Sequence, residues 1–252
     1  MKQSFAWWSF TYRREIDPEP FLRGARAAGC SGVEGAPEAL WPLLRDLGLA
    51  NVNLGGHGIE RGFNDPAEHP RLRDEVRRAV DKAAANAIEA VVVFSGNRDG
   101  RDDAEAIAAC VDGLGPVAEH AAGAGVTLVL ELLNSKVDHP DYHCDRTAWG
   151  AAVVEGVGSP ALRLLFDAYH MQIMEGDLSR TLKERLPLIG HFHTAGVPGR
   201  RDLDDRQEIN WRALGGLLEH LGYDRWVGHE FVPRDEPLSA LAHACRQFEA
   251  RA

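Results

Sequence analysis

Cysteine is scarce and scattered in this 252-residue chain: Cys30, Cys110, Cys144 and Cys245 stand apart, with no C-x-x-C pair. That excludes a disulfide scaffold and points to reduced thiols in a cytoplasmic protein. No run of about 18 apolar residues occurs, so no membrane-spanning helix is expected. The first eight residues, Met1 to Trp8, lack the long apolar stretch of a signal peptide, in keeping with a cytoplasmic location. Basic charge is in deficit, 28 Lys and Arg against 38 Asp and Glu, a formal net charge of −10. Such a surface repels phosphate backbones and offers an anionic membrane no polybasic segment, so neither nucleic acid nor membrane is expected as a partner. There is no low-complexity linker and no shift in composition, which leaves one domain spanning residues 1–252.

What is present is 44% hydrophobic and 26% charged residues, the composition of a globular protein large enough to bury a core without staples. Short apolar runs alternate with amphipathic stretches. The spacing predicts strands at 4–10, 32–34, 50–54, 90–94, 126–131, 162–167, 188–193 and 226–231. Most are apolar without alternation, as parallel strands covered on both faces must be. Helices are expected at 18–28, 37–47, 70–87, 102–123, 148–156, 178–185, 211–221 and 237–250. Eight units of about 31 residues predict an α/β protein of the (β/α)8 TIM-barrel type, with a doubly wound open sheet as the alternative.

In a barrel the chemistry sits at the C-terminal ends of the strands. Each of the last four predicted strands carries a metal-ligand residue type there: Glu131, Asp167, His193 and Glu230, each about one unit from the next. Closure would bring them round one point near the axis. Three carboxylates meeting without a cation would repel one another, and a divalent ion removes that conflict. Three oxygens and one imidazole suit Mn2+ or Mg2+, with Co2+ or Zn2+ also admissible. Substrate contacts are expected from His170, three residues after Asp167, and from Arg200, an arginine able to clamp a carboxylate or hydroxyl. His57, in a Gly-rich loop, reads either as a substrate contact or as turn filler. Glu208 reads either as a helix-start acid or as the partner of Arg200. His191 reads as a packed histidine and His229 as one facing the helices. Trp7, Trp8 and Phe10 read as core, or as the wall of a pocket.

The segments Phe166-Asp167-Ala168-Tyr169-His170, His191-Phe192-His193-Thr194-Ala195-Gly196, Glu208-Ile209-Asn210-Trp211, Glu131-Leu132-Leu133-Asn134 and Gly228-His229-Glu230-Phe231 carry a resemblance to the xylose isomerase-like barrel superfamily, most closely its hydroxypyruvate isomerase group. The resemblance spans residues 126–231. It implies one divalent metal on Glu131, Asp167, His193 and Glu230, with Glu131 and Glu230 as the proton-transfer pair and His170 and Arg200 on substrate. It also implies aldose–ketose isomerisation of a small sugar or hydroxy-keto acid through an enediolate, and a homo-oligomer by analogy. Two departures stand out: hydroxypyruvate isomerases usually carry glutamine where this chain has His193, and the loop after Glu131 is unlike theirs. Ketose 3-epimerisation, dehydration of a cyclic ketone and a non-catalytic sugar-binding barrel are the rival expectations. A nuclease of the endonuclease IV type would need a multi-zinc site; here Asn97 follows the fourth strand and no Asp-x-His pair follows Arg200.

Overall fold

The computed structural model describes residues 1–249. Nine strands all pair parallel: β1 (Lys2–Ala6), β2 (Gly32–Glu34), β3 (Ala50–Asn51), β4 (Asn53–Gly55), β5 (Ala90–Val93), β6 (Thr127–Glu131), β7 (Leu162–Asp167), β8 (Ile189–Thr194) and β9 (Trp226–His229). Their order is β3-β2-β1-β9-β8-β7-β6-β5-β4. The two ends of that order are halves of one stave, parted only at Val52. The Val52 N–H donates to Val33 O at 2.8 Å, and its carbonyl accepts from Ala90 N at 3.2 Å. The ring therefore closes as a TIM barrel of eight staves, and the open-sheet alternative falls.

Among the described residues ten α-helices surround it: α1 (Trp7–Thr11), α2 (Pro18–Ala27), α3 (Trp41–Leu47), α4 (His69–Ala85), α5 (Asp103–Ala124), α6 (Thr147–Val157), α7 (Ala168–Met174), α8 (Leu178–Arg185), α9 (Trp211–His220) and α10 (Pro237–Gln247). Local chemistry sets their ends. Pro18 and Pro237 open α2 and α10 where a missing N–H costs nothing. Asp102 caps α5 through Ala104 N at 2.8 Å, and Gly125 stops it at φ +70°, a left-handed conformation that glycine adopts freely. The strands are buried on both sides; Val91, Val93, Leu128, Leu164 and Leu165 have no exposed surface. Each such side chain contributes about 1.5–3 kcal/mol by leaving water, so the strand ends sit on a rigid frame.

The structure departs from the sequence reading at several places: the expected strand 50–54 is broken at Val52, the expected strand 226–231 ends at His229, and the expected helix 37–47 is α-helical only from Trp41. The expected strand 4–10 ends at Ala6, and Trp7–Thr11 turn into helix α1. An apolar run this short does not distinguish a strand from a helical turn; packing decides, and Phe10 lies 5.2 Å from Phe5 and 5.0 Å from Phe231, ring to ring. Helix α7 was not foreseen. It starts directly after Asp167, whose Oδ1 accepts from Tyr169 N at 2.8 Å and His170 N at 3.3 Å. The expected helix 237–250 ends at Gln247, and its last residue, Ala250, lies outside the described residues. Among the described residues no helix is long and apolar enough to cross a membrane.

Candidate active site

Glu131 closes β6, Asp167 closes β7, His193 lies in β8 and Glu230 follows β9. Strand register pairs Asp167 with His193 directly, while Glu131 pairs with Leu165, two residues before Asp167, and His193 with Gly228, two residues before Glu230. One ligand atom from each lies within 4.8 Å of those of the other three, and all four are buried. The structure thus brings together the four residues that the strand pattern singled out.

Arg200 enters the cluster from the loop after β8. Its guanidinium bonds Oε2 of Glu230 and lies 3.5 Å from Oδ2 of Asp167. The loop holds it firmly: Arg200 Nε donates to Glu230 O at 3.2 Å, and its own carbonyl accepts from Val232 N at 2.8 Å. The guanidinium carbon sits 5.3 Å from the ring centres of both Trp8 and Tyr169. Trp8 also donates its Nε1–H to Oε1 of Glu230 at 2.6 Å.

These contacts divide the acids. Burial alone would raise Glu230, but Arg200 and then His193 outweigh it and hold Glu230 well below the usual carboxylate range. Burial wins at Glu131, which is raised, and at Asp167, which is pushed up to about 7 against Arg200 and His193. His193 is raised in turn, because Glu230 and Glu34 outweigh its desolvation. Arg200 and His193 do not supply enough positive charge for three buried carboxylates, and one divalent cation would make up the shortfall. Among the described residues two buried imidazole nitrogens, His193 Nδ1 and His170 Nε2, have no hydrogen-bond partner. His193 Nδ1 faces Glu230 Oε2 at 3.1 Å and Glu131 Oε1 at 3.7 Å. The residues present therefore fit a divalent ion.

His170 is held differently. The backbone N–H of Asn134 can only donate, and it reaches His170 Nδ1 at 3.0 Å. Nδ1 must accept, which leaves the proton on Nε2, 3.6 Å from Asp167 Oδ2. Burial lowers the imidazole's pKa well below its ordinary value and keeps it neutral, a hydrogen-bond donor aimed at the site.

Two expected contacts fall elsewhere. Glu208 does not partner Arg200; it is exposed and accepts from Gln172 Nε2 at 3.3 Å, because Glu230 and Asp167 already claim the guanidinium. His57 has both nitrogens taken by backbone, with Phe94 N donating to Nε2 at 3.1 Å and Nδ1 on Gly58 O at 2.8 Å. It braces its loop, the turn-filling alternative. His191 is packed, as read, and His229 faces outward against Phe248 with its nitrogens on Gln3 and Thr194. Phe10 is core, while Trp8 is a wall, 45% exposed. Sequence reasoning missed one buried acid. Glu34, at the end of β2, touches His193, His191, Ser4 and Asn53. Its only sequence signal is a carboxylate at a strand's C-terminal end.

A closed (β/α)8 barrel with an acid–histidine cluster at the C-terminal mouth defines a TIM-barrel protein whose cluster could hold a metal ion. Residues 22–250 match the family model of the xylose isomerase-like TIM barrel, and the chain belongs to that family. It is similar to the 2-oxo-tetronate isomerase of Cupriavidus necator, 35% identical over 231 residues that cover 85% of this chain and 88% of that protein. It is likewise similar to the putative hydroxypyruvate isomerase of Homo sapiens, 32% identical over 237 residues and 86% of each chain. Among solved structures it resembles the AP endonuclease, family 2, from Brucella melitensis, at 28% identity and a TM-score of 0.86, covering 98% of this chain and 99% of that one.

Proposed function

We propose that this chain is a divalent-metal-dependent isomerase interconverting aldehyde and ketone forms of a small hydroxy-keto acid or sugar, of the hydroxypyruvate or 2-oxo-tetronate kind. The observation that carries the proposal is the convergence of two glutamates, Glu131 and Glu230, with Asp167 and His193 on four consecutive staves. The names of the two curated relatives support the reaction class.

Glu131, Asp167, His193 and Glu230 would hold the cation, Mn2+ or Mg2+ by their oxygen-rich set, and bound there it withdraws electron density from the substrate's carbonyl and hydroxyl oxygens. One glutamate of the pair takes the proton from the carbon beside the carbonyl. The C–H electrons become the C=C bond of an enediolate, and the carbonyl oxygen takes up the negative charge. The hydroxyl proton passes to that oxygen, a new carbonyl forms from the old hydroxyl, and a glutamate returns a proton to the neighbouring carbon. The Nε2–H of His170 and the guanidinium of Arg200 donate to the oxygens where charge develops, which counts for most in a site shielded from water. Trp8 and Tyr169 flank that guanidinium and limit its freedom.

The test is turnover in D2O with Mn2+, Mg2+ or Co2+ over hydroxypyruvate, tetronate-type oxo acids and common ketoses. Isomer product carrying deuterium at the carbon that gained hydrogen is expected. Deuterium returned to the original carbon with inverted configuration would make the protein an epimerase, and loss of water a lyase. Tight binding without exchange would make it a sugar-binding barrel.

A further inference from the structure

Glu34 is a buried carboxylate with both oxygens fully engaged. Oε1 accepts from Ser4 Oγ at 2.5 Å and lies 3.0 Å from His191 Nε2; Oε2 accepts from Asn53 Nδ2 at 2.7 Å and lies 2.8 Å from His193 Nε2. The Asn53 amide nitrogen can only donate, and a carboxylate oxygen can only accept from an imidazole nitrogen that carries a proton. The 2.8 Å contact is therefore an N–H of His193 donating to Glu34. The other nitrogen, Nδ1, is then the one left for a cation, which would take the place of any proton there; it is the buried nitrogen that faces Glu131 and Glu230 with no hydrogen bond.

The chain has also cleared space for this contact. A methyl group on Gly228 would collide with Glu34 Oε1 and come within 2.8 Å of His193 Cδ2. Glycine on β9 is thus what lets a carboxylate from β2 reach across to an imidazole on β8. Glu34, His191 and His193 also lie close enough to form a ligand-like group of their own. Their nitrogen–oxygen separations are those of hydrogen bonds, and Ser4 and Asn53 complete the carboxylate's surroundings, so the group serves as a brace.

We infer that Glu34 is a positioning residue: it holds the proton of His193 on Nε2 and so presents the Nδ1 lone pair to a divalent cation among Glu131, Asp167 and Glu230. The inference rests on the proposed metal site and adds what orients its one nitrogen donor. Carboxylates that orient a metal-bound histidine in this way typically change metal affinity about 10–100-fold when removed.

Three measurements test it. In wild-type protein loaded with Mg2+, histidine 15N shifts of His193 should be pyrrole-like at Nε2 and pyridine-like at Nδ1; the reverse pattern overturns the inference without any variant. In Glu34→Gln, calorimetric titration with Mn2+ should give a Kd about 10–100-fold weaker than wild type, with an unchanged circular dichroism spectrum. Gly228→Ala, which crowds the same contact, should weaken Mn2+ in the same direction. Wild-type affinity in a folded Glu34→Gln protein removes Glu34 from this role and leaves the metal site standing. A wild-type protein that takes up neither Mn2+ nor Mg2+ overturns the metal site and this inference together.

Discussion

The indole Nε1 of Trp8 donates to Oε1 of Glu230 at 2.6 Å, tying helix α1 to the residue just beyond β9. Both oxygens of Glu230 are thereby held, one by Trp8 and one by Arg200. A hydrogen bond to a charged group is worth about 1.5–3 kcal/mol. Trp8→Phe keeps a ring over Arg200 but removes the donor. Turnover should fall by at least about tenfold by that measure, with KM little changed. Because Trp8 is 45% exposed, the melting temperature should move only slightly. Steady-state kinetics beside a thermal melt checks both halves; unchanged kcat would mean the bond does not steer Glu230.

Glu131→Gln and Glu230→Gln replace a base with an amide of the same shape. Each should keep the barrel's circular dichroism and lose turnover by the 10²–10⁴-fold typical of a placed acid–base group, or more. Solvent-deuterium exchange into substrate reads the loss directly. Near wild-type exchange in either variant would take that glutamate out of proton transfer.

Without the proposed cation the acids face one another. Asp167 is pushed up to about 7 by burial, above an ordinary carboxyl value near 4. The sign follows: in the metal-free protein its contribution to stability is full below about 4 and is lost as pH rises through about 7. After dialysis against a chelator, the gain in melting temperature on adding Mn2+ should therefore be small at pH 5.5, larger at pH 7 and level above about 8. A gain independent of pH would contradict the cluster's charge state.

His57 gives an acid limb of its own. Burial lowers it to about 4, and Phe94 N occupies the nitrogen that would take a second proton. The unfolded chain binds that proton near pH 6.5, so stability present at neutral pH is lost as pH falls from about 6.5 to about 4, by as much as about 3 kcal/mol. Denaturant unfolding at pH 7.5 and 4.5 should show a smaller difference for His57→Gln than for wild type. Equal differences would place the acid sensitivity elsewhere.

The eight units were legible because buried parallel strands write themselves as apolar runs, and Val91, Val92 and Val93 read as strand in any context. The end of β1 was not legible, since Trp7, Trp8 and Phe10 are as apolar as a strand, and only contact with Phe5 and Phe231 turns them into helix. Helix α7 hid behind Asp167, whose side chain both caps a helix and faces a site; the sequence pattern displays one use at a time. Glu34 stayed invisible because His191 and His193 are 157 and 159 positions away and meet it only when the ring closes. His57 and Glu208 each left two readings open for a different reason: a histidine in a glycine loop and an acid near a helix start look alike whether they meet substrate or only backbone and solvent.

Asp167 spends one oxygen on architecture and aims the other at chemistry. An asparagine there would still present a carbonyl to the first turn of α7 while offering an amide nitrogen to whatever ion arrives. Fold and reactivity at that position are thus separable by a single atom. A barrel of this shape stands one substitution from keeping its helix while losing a carboxylate oxygen from the cluster at its mouth.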